Sequence, residues 1–100
     1  MRIISWRVLA AYAEKHPETI IALMRWRAQV RASDWGSMDD VRRAAPSAKV
    51  LDGRRVRFEV AGGNFRMIVA FDFARRIAFI KFIGTHAEYD RIDALTVSQF

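Results

Sequence analysis

The sequence predicts an α+β domain in which two N-terminal helices pack on one face of a small antiparallel sheet. Three observations carry this. Apolar residues recur at helical spacing between Trp6 and Val30, the period switches to two from Val50 onward, and the turns between the segments are short. Helices on a single face leave the other face of the sheet free for function. With 100 residues, 52% apolar and 28% charged, the chain is expected to form one globular domain, 1–100.

The elements follow in order. Met1–Ile4 is a short apolar lead suited to an edge or central strand. Ser5 is placed as an N-cap, followed by Trp6, Leu9, Ala10 and Ala13 at helical spacing. Pro17 interrupts that pattern and fits the first turn of a second helix, where a missing N–H costs nothing. The second helix is read with Ile20, Leu23, Met24, Arg27 and Val30 on one stripe and Trp26 beside it. Residues 33–40 read as a loop by composition, with Ser37 as the N-cap of a short helix whose first turn holds Asp39 and Asp40. Pro46 stops that helix. Val56, Phe58 and Val60 then alternate with Arg55, Arg57 and Glu59, a half-buried strand with a charged face. Ala61-Gly62-Gly63-Asn64 is a hairpin turn. A second strand alternates from Phe65 to Phe73, and Ile77–Ile83 is apolar on both faces except at Lys81, which places it inside the sheet.

Composition excludes several classes of function. The chain has no cysteine, so a disulfide scaffold, a thiol nucleophile and a thiolate zinc site are out, and a reducing cytoplasm is the expected location. No apolar run is long enough to span a bilayer, and no membrane partner is expected. Seventeen cations against eleven acids leave a net charge of +6, and most of the cations are arginines. Arginine is the planar fork that grips phosphate through paired bonds, so the bias points to nucleic acid. A solvated basic surface explains the net charge alone equally well.

The segment Gly84-Thr85-His86-Ala87-Glu88-Tyr89-Asp90 places an imidazole, a carboxylate and a phenol immediately after a buried strand. Two readings stand side by side. Thr85 and Glu88 spell a capping box, and His86, Glu88 and Tyr89 are also the residue types that move protons or stack on a base. Lys81 has the same duality. It snorkels from an apolar strand, or it offers a cation to an anion in a cleft. His16 and His86 lack further ligands at metal-binding spacing, so neither metal nor cofactor is expected.

Met1-Arg2-Ile3-Ile4, Glu14-Lys15-His16-Pro17, Asp34-Trp35, Arg66-Met67-Ile68-Val69 and, above all, Phe82-Ile83-Gly84-Thr85-His86-Ala87-Glu88-Tyr89-Asp90-Arg91-Ile92-Asp93 together resemble the HigB toxins, a branch of the RelE-like toxin superfamily. The resemblance implies a RelE-like fold and a ribosome-dependent endonuclease of translated mRNA. It also implies neutralisation by a HigA-type antitoxin carrying a helix-turn-helix domain. The chain departs from the family at the hairpin, where Asn64 directly precedes the aromatic Phe65, and at Glu59, where the family commonly has Asn. Glu59 repels phosphate if it faces the RNA.

Metal-free cleavage by a ribose 2′-OH needs a base, an acid and cations for the charge on phosphorus. On this reading His86 and Glu88 transfer protons, and Lys81 and Arg66 stabilise the phosphorane. Tyr89 orients or stacks on a nucleobase, with general-base duty as its second role. Arg54, Arg55 and Arg57 hold the backbone of message or ribosomal RNA. The alternative is a non-catalytic RNA- or ribosome-binding module of the same fold.

Overall fold

A five-stranded sheet with strand order β1-β5-β4-β3-β2 forms the centre of the computed structural model, which describes residues 1–100. The strands are β1 (Arg2–Ile4), β2 (Lys49–Val50), β3 (Arg55–Val60), β4 (Phe65–Asp72) and β5 (Ile77–Thr85). Neighbours are antiparallel except at one edge, where β1 runs parallel to β5. The sheet is therefore mixed. The α+β class and the two N-terminal helices on one face agree with the sequence reading.

Alternation decides which face each strand buries. Val56, Phe58 and Val60 of β3, Met67, Val69 and Phe71 of β4, and Ala78, Ile80 and Ile83 of β5 join one cluster with Leu9, Ala13, Leu23, Trp26 and Val30 from the helices. These helices are α1 (Trp6–Lys15) and α2 (Ile20–Ala32), joined through a 3₁₀ turn at Pro17–Thr19. A third helix, α3 (Met38–Ala44), is capped as expected, Ser37 accepting from the backbone N–H of Asp40. Lys49–Val50 forms a two-residue edge strand that the alternation alone did not single out.

Three local readings change. The buried stripe of α2 is Leu23, Trp26 and Val30, continued by Thr19 of the preceding 3₁₀ turn, whereas Ile20 and Met24 are exposed. A helix buries one face, and the indole of Trp26, edge-on to Phe58 at 5.8 Å between ring centroids, brings the largest apolar area with it. Ser5 does occupy the N-cap position of α1, but in a left-handed conformation (φ 77°) and without a side-chain cap bond. The face opposite the helices is not left free. Ile68 and Phe82 lie outside the helix-side cluster yet are buried, at 0% and 3% exposure, so the outer face has a small core of its own.

The C-terminal segment is tied to the sheet at two places. Arg55 Nη1 donates to the carbonyls of Ala94 (3.1 Å) and Val97 (2.8 Å), fixing the segment above β3. Beyond it, the Gln99 N–H donates to the Lys81 carbonyl (2.8 Å), and Gln99 Oε1 accepts from the Ile83 N–H (3.0 Å). The segment thus crosses the outer face from β3 to the stretch of β5 edge that short β1 leaves uncovered. Lys81 also marks an irregularity. Ile68 pairs with Phe82 and Val69 with Ile80, so Lys81 is the extra residue of a β-bulge.

Candidate active site

Register brings three charged side chains together on the outer face. Arg57 and Glu59 alternate outward on β3, and Glu59 faces Arg66 across the β3–β4 ladder. The Glu59 carboxylate lies 3.1 Å from Arg57 Nε and 3.4 Å from Arg66 Nε. Neither Nε–H is aimed to hydrogen-bond it, and both nitrogens are buried without a hydrogen-bond partner. The three groups form an ion triad held by charge and packing, with uncommitted donors.

Helix α4 (His86–Tyr89) delivers Tyr89 onto this triad. Arg66 Cζ stands 5.0 Å and Arg57 Cζ 5.4 Å from the Tyr89 ring centroid, and Arg57 Nη1 donates a long hydrogen bond of 3.5 Å to the phenol oxygen. Two guanidinium groups therefore converge on one phenol, with Phe82 beneath it at 6.3 Å between rings.

The position of α4 follows from its sequence. Thr85 accepts from the Glu88 N–H (3.1 Å), and Glu88 Oε1 accepts from the Thr85 N–H (2.9 Å), a complete capping box. The Thr85 backbone N–H, foremost among several contacts, holds the Glu88 carboxyl below the usual carboxylate range; the positive field of His16 adds to this. Of the two readings of Thr85-x-x-Glu88, the cap is therefore present in the structure.

A four-residue helix also disperses its side chains. At about 100° per residue, Glu88 points ~160° away from His86, while Tyr89 and Asp90 share its side. His86 is exposed, and its Nδ1 lies 3.2 Å from Asp90 Oδ2. A carboxylate beside Nδ1 leaves Nε2 as the nitrogen open to a substrate proton, although no hydrogen bond joins the pair. Asp90 received no role from the sequence, although its i,i+4 spacing from His86 was visible there.

The structure thus brings Arg66, Arg57 and Tyr89 together, with His86 on the same side of α4. Glu88 is engaged in the cap. Arg55 is turned to the C-terminal segment. Arg54 and Lys81 lie toward the opposite end of the outer face, where both line an open hollow of about 450 Å³. Glu59, which sequence reasoning marked as repelling phosphate, sits between the two arginines and neutralises part of their charge. No three His, Asp or Glu side chains are grouped so as to hold a metal ion. No helix is long and apolar enough to cross a membrane.

Comparison with known proteins gives two concordant findings. The HigB toxin family, described as a RelE-like toxic component of a toxin-antitoxin system, matches residues 20–92. A relative from Escherichia coli O6:H1, named mRNA interferase HigB, is 31% identical over 97 residues, covering 92% of this chain and 91% of the relative.

Proposed function

The chain belongs to the HigB toxin family, RelE-like toxic components of toxin-antitoxin systems, and on that premise we propose that it is an endoribonuclease cleaving translated mRNA on the ribosome. A HigA-type antitoxin neutralises it, and residues 1–100 act as one domain. The observation that carries the reading is the pair of half-buried arginines converging on Tyr89, because a phosphodiester is the ligand for which two such forks are suited.

The reaction requires no group beyond the chain and the RNA. The ribose 2′-oxygen attacks the adjacent phosphorus, losing its proton as the new P–O bond forms. The bond to the 5′-oxygen breaks, and that oxygen takes up a proton. The products are a 2′,3′-cyclic phosphate and a 5′-hydroxyl. Arg57 and Arg66 stabilise the charge that grows on the phosphoryl oxygens. His86, beside the Asp90 carboxylate, and Tyr89, whose hydroxyl accepts from Arg57 and keeps its own proton available, are the two groups that exchange protons with substrate. Glu88 serves as the cap that holds both on one short helix.

A phosphate entering this site competes with Glu59 for the arginines. Such a site is weak toward free RNA, and ribosomal presentation of the message supplies the missing orientation. The test is incubation of purified protein with ribosomes carrying a defined message, with and without a 2′-deoxy nucleotide at the cleaved position. Cleavage that ends in a cyclic phosphate and disappears with the 2′-deoxy substitution is expected. Cleavage that survives the substitution overturns the mechanism, and its absence on the unmodified message overturns the activity.

A further inference from the structure

We propose that the hollow formed by Lys81, Arg54 and Phe79 is a second nucleotide-binding subsite, taking the phosphate and base of the same RNA strand away from the scissile bond. The proposal rests on the endoribonuclease reading for the identity of the strand, and it moves Lys81, which the sequence reading set on the phosphorane, to a phosphate away from the scissile bond.

Four observations carry it. The bulge at Lys81 breaks the ladder between Ile68 and Val69, and the ammonium lies 5.6 Å from the Phe79 ring centroid, toward the end of the sheet away from the α4 capping box. Lys81 and Arg54 form no salt bridge, whereas Arg57, Arg66, Arg75 and Arg76 are each paired with a carboxylate. Asp72, the one acid lining the hollow, accepts from the Arg75 N–H (3.1 Å) and lies near the Arg75 side chain. Half-buried Phe79 adds an aromatic ring to a wall that carries two cations outside any salt bridge. Cations outside any salt bridge beside an aromatic face suit a nucleotide, whose phosphate meets the charge while its base meets the ring; the Asp52 carboxylate, close by, is taken up by the backbone N–H groups of Arg54 and Arg55.

Spacing fits a continuous strand. Arg66 and Ala70 on β4 are four residues apart, about 13 Å at ~3.3 Å per residue. A single-stranded RNA gripped by Arg66 therefore reaches the hollow within a few nucleotides. On the way it passes over the segment that Arg55 pins across the sheet.

The test is backbone-amide NMR of the full chain titrated with a 2′-O-methyl oligoribonucleotide, which cannot be cleaved, and separately with inorganic phosphate. Oligonucleotide-induced shifts at Gly53, Phe79 and Lys81 are expected, together with shifts around Tyr89. Lys81→Met with Arg54→Ala is expected to abolish the first set and keep the second, and Phe79→Leu to weaken the first set at least fivefold. Shifts near Lys81 without any near Tyr89 support the subsite as a site that holds free RNA by itself, and the ribosome assay with the 2′-deoxy message remains the test of the active site. Shifts near Tyr89 alone overturn the subsite and leave the active site standing. Absence of shifts at both places overturns the subsite. Equal response to phosphate and oligonucleotide makes the hollow a simple anion site and overturns the nucleotide assignment.

Discussion

Tyr89, at the end of helix α4, and Tyr12, whose phenol feels the carboxylate of Glu88 on the same helix, lie in opposite electrostatic surroundings. Tyr89 reaches the outer face between Arg57 and Arg66 and accepts a hydrogen bond from Arg57. Tyr12, on α1, stacks on His16 at 4.3 Å and meets Phe65 edge-on, and its hydroxyl is buried without a partner. Burial first, then the carboxylates of Glu88 and Glu18, push the Tyr12 phenol up to about 12. The same side chain is thus exposed to chemistry in one place and locked in its neutral form in the other. Burial first and neighbouring charge second, more than residue type, separate a phenol offered to a substrate from a packing one.

The strongest challenge to this contrast is to remove the cations. Arg57→Met and Arg66→Met are each expected to lower ribosome-dependent cleavage by about 10²–10³ while circular dichroism keeps its native form, since one transition-state donor contributes that much. Native structure with undiminished cleavage in both variants would move the chemistry elsewhere.

That difference was only partly legible in the sequence. Period-two alternation placed Arg55, Arg57 and Glu59 on one face of β3, and the pairing of Glu59 with Arg66 follows once the hairpin at 61–64 is drawn. Arg55 and Arg57, however, are indistinguishable by pattern. They part because carbonyls 39 and 42 residues further along the chain arrive above Arg55. The bulge was equally hidden, because neither glycine nor proline marks Lys81. Thr85-x-x-Glu88 could be read as a cap or as chemistry, and the backbone bonds to Thr85 settle the geometry in favour of the cap.

A second measurement sharpens the contrast along α4 itself. His86→Ala is expected to cost about 10² in cleavage with little change in stability. Glu88→Gln retains the capping-box geometry and is expected to leave cleavage near its original level, whereas Glu88→Ala loses ~1 kcal/mol of stability with the cap. Severe loss of cleavage in a stably folded Glu88→Gln protein would return Glu88 to proton transfer.

Smaller effects test the Tyr12 side. Tyr12→Phe removes a buried hydroxyl that has no partner, so cleavage is unchanged and stability rises by about 1 kcal/mol, or ~4–8 °C in Tm for a domain of this size. The sign of the alkaline response also follows. Because the folded state keeps this proton to about 12 against an ordinary value of 10.0, it binds more protons than the unfolded state across that interval. Stability therefore falls as pH rises from 10 toward 12, and Tyr12→Phe removes that part of the slope in denaturant titrations. The smallest change belongs to Glu59→Gln, which frees both arginines from an exposed-side carboxylate. It is expected to tighten binding of uncleavable RNA about twofold to fivefold.

Gly84 carries a consequence for genetics. A Cβ at this position would stand 2.6 Å from Phe82 Cζ and 3.3 Å from Glu88 Cβ, so any other residue displaces the ring beneath Tyr89 or tilts α4. Substitution at that codon is then an expected escape route for a cell arrested by the protein. Survivors selected after unopposed expression are expected to carry Gly84 alleles repeatedly, although the residue bears no side chain to touch RNA.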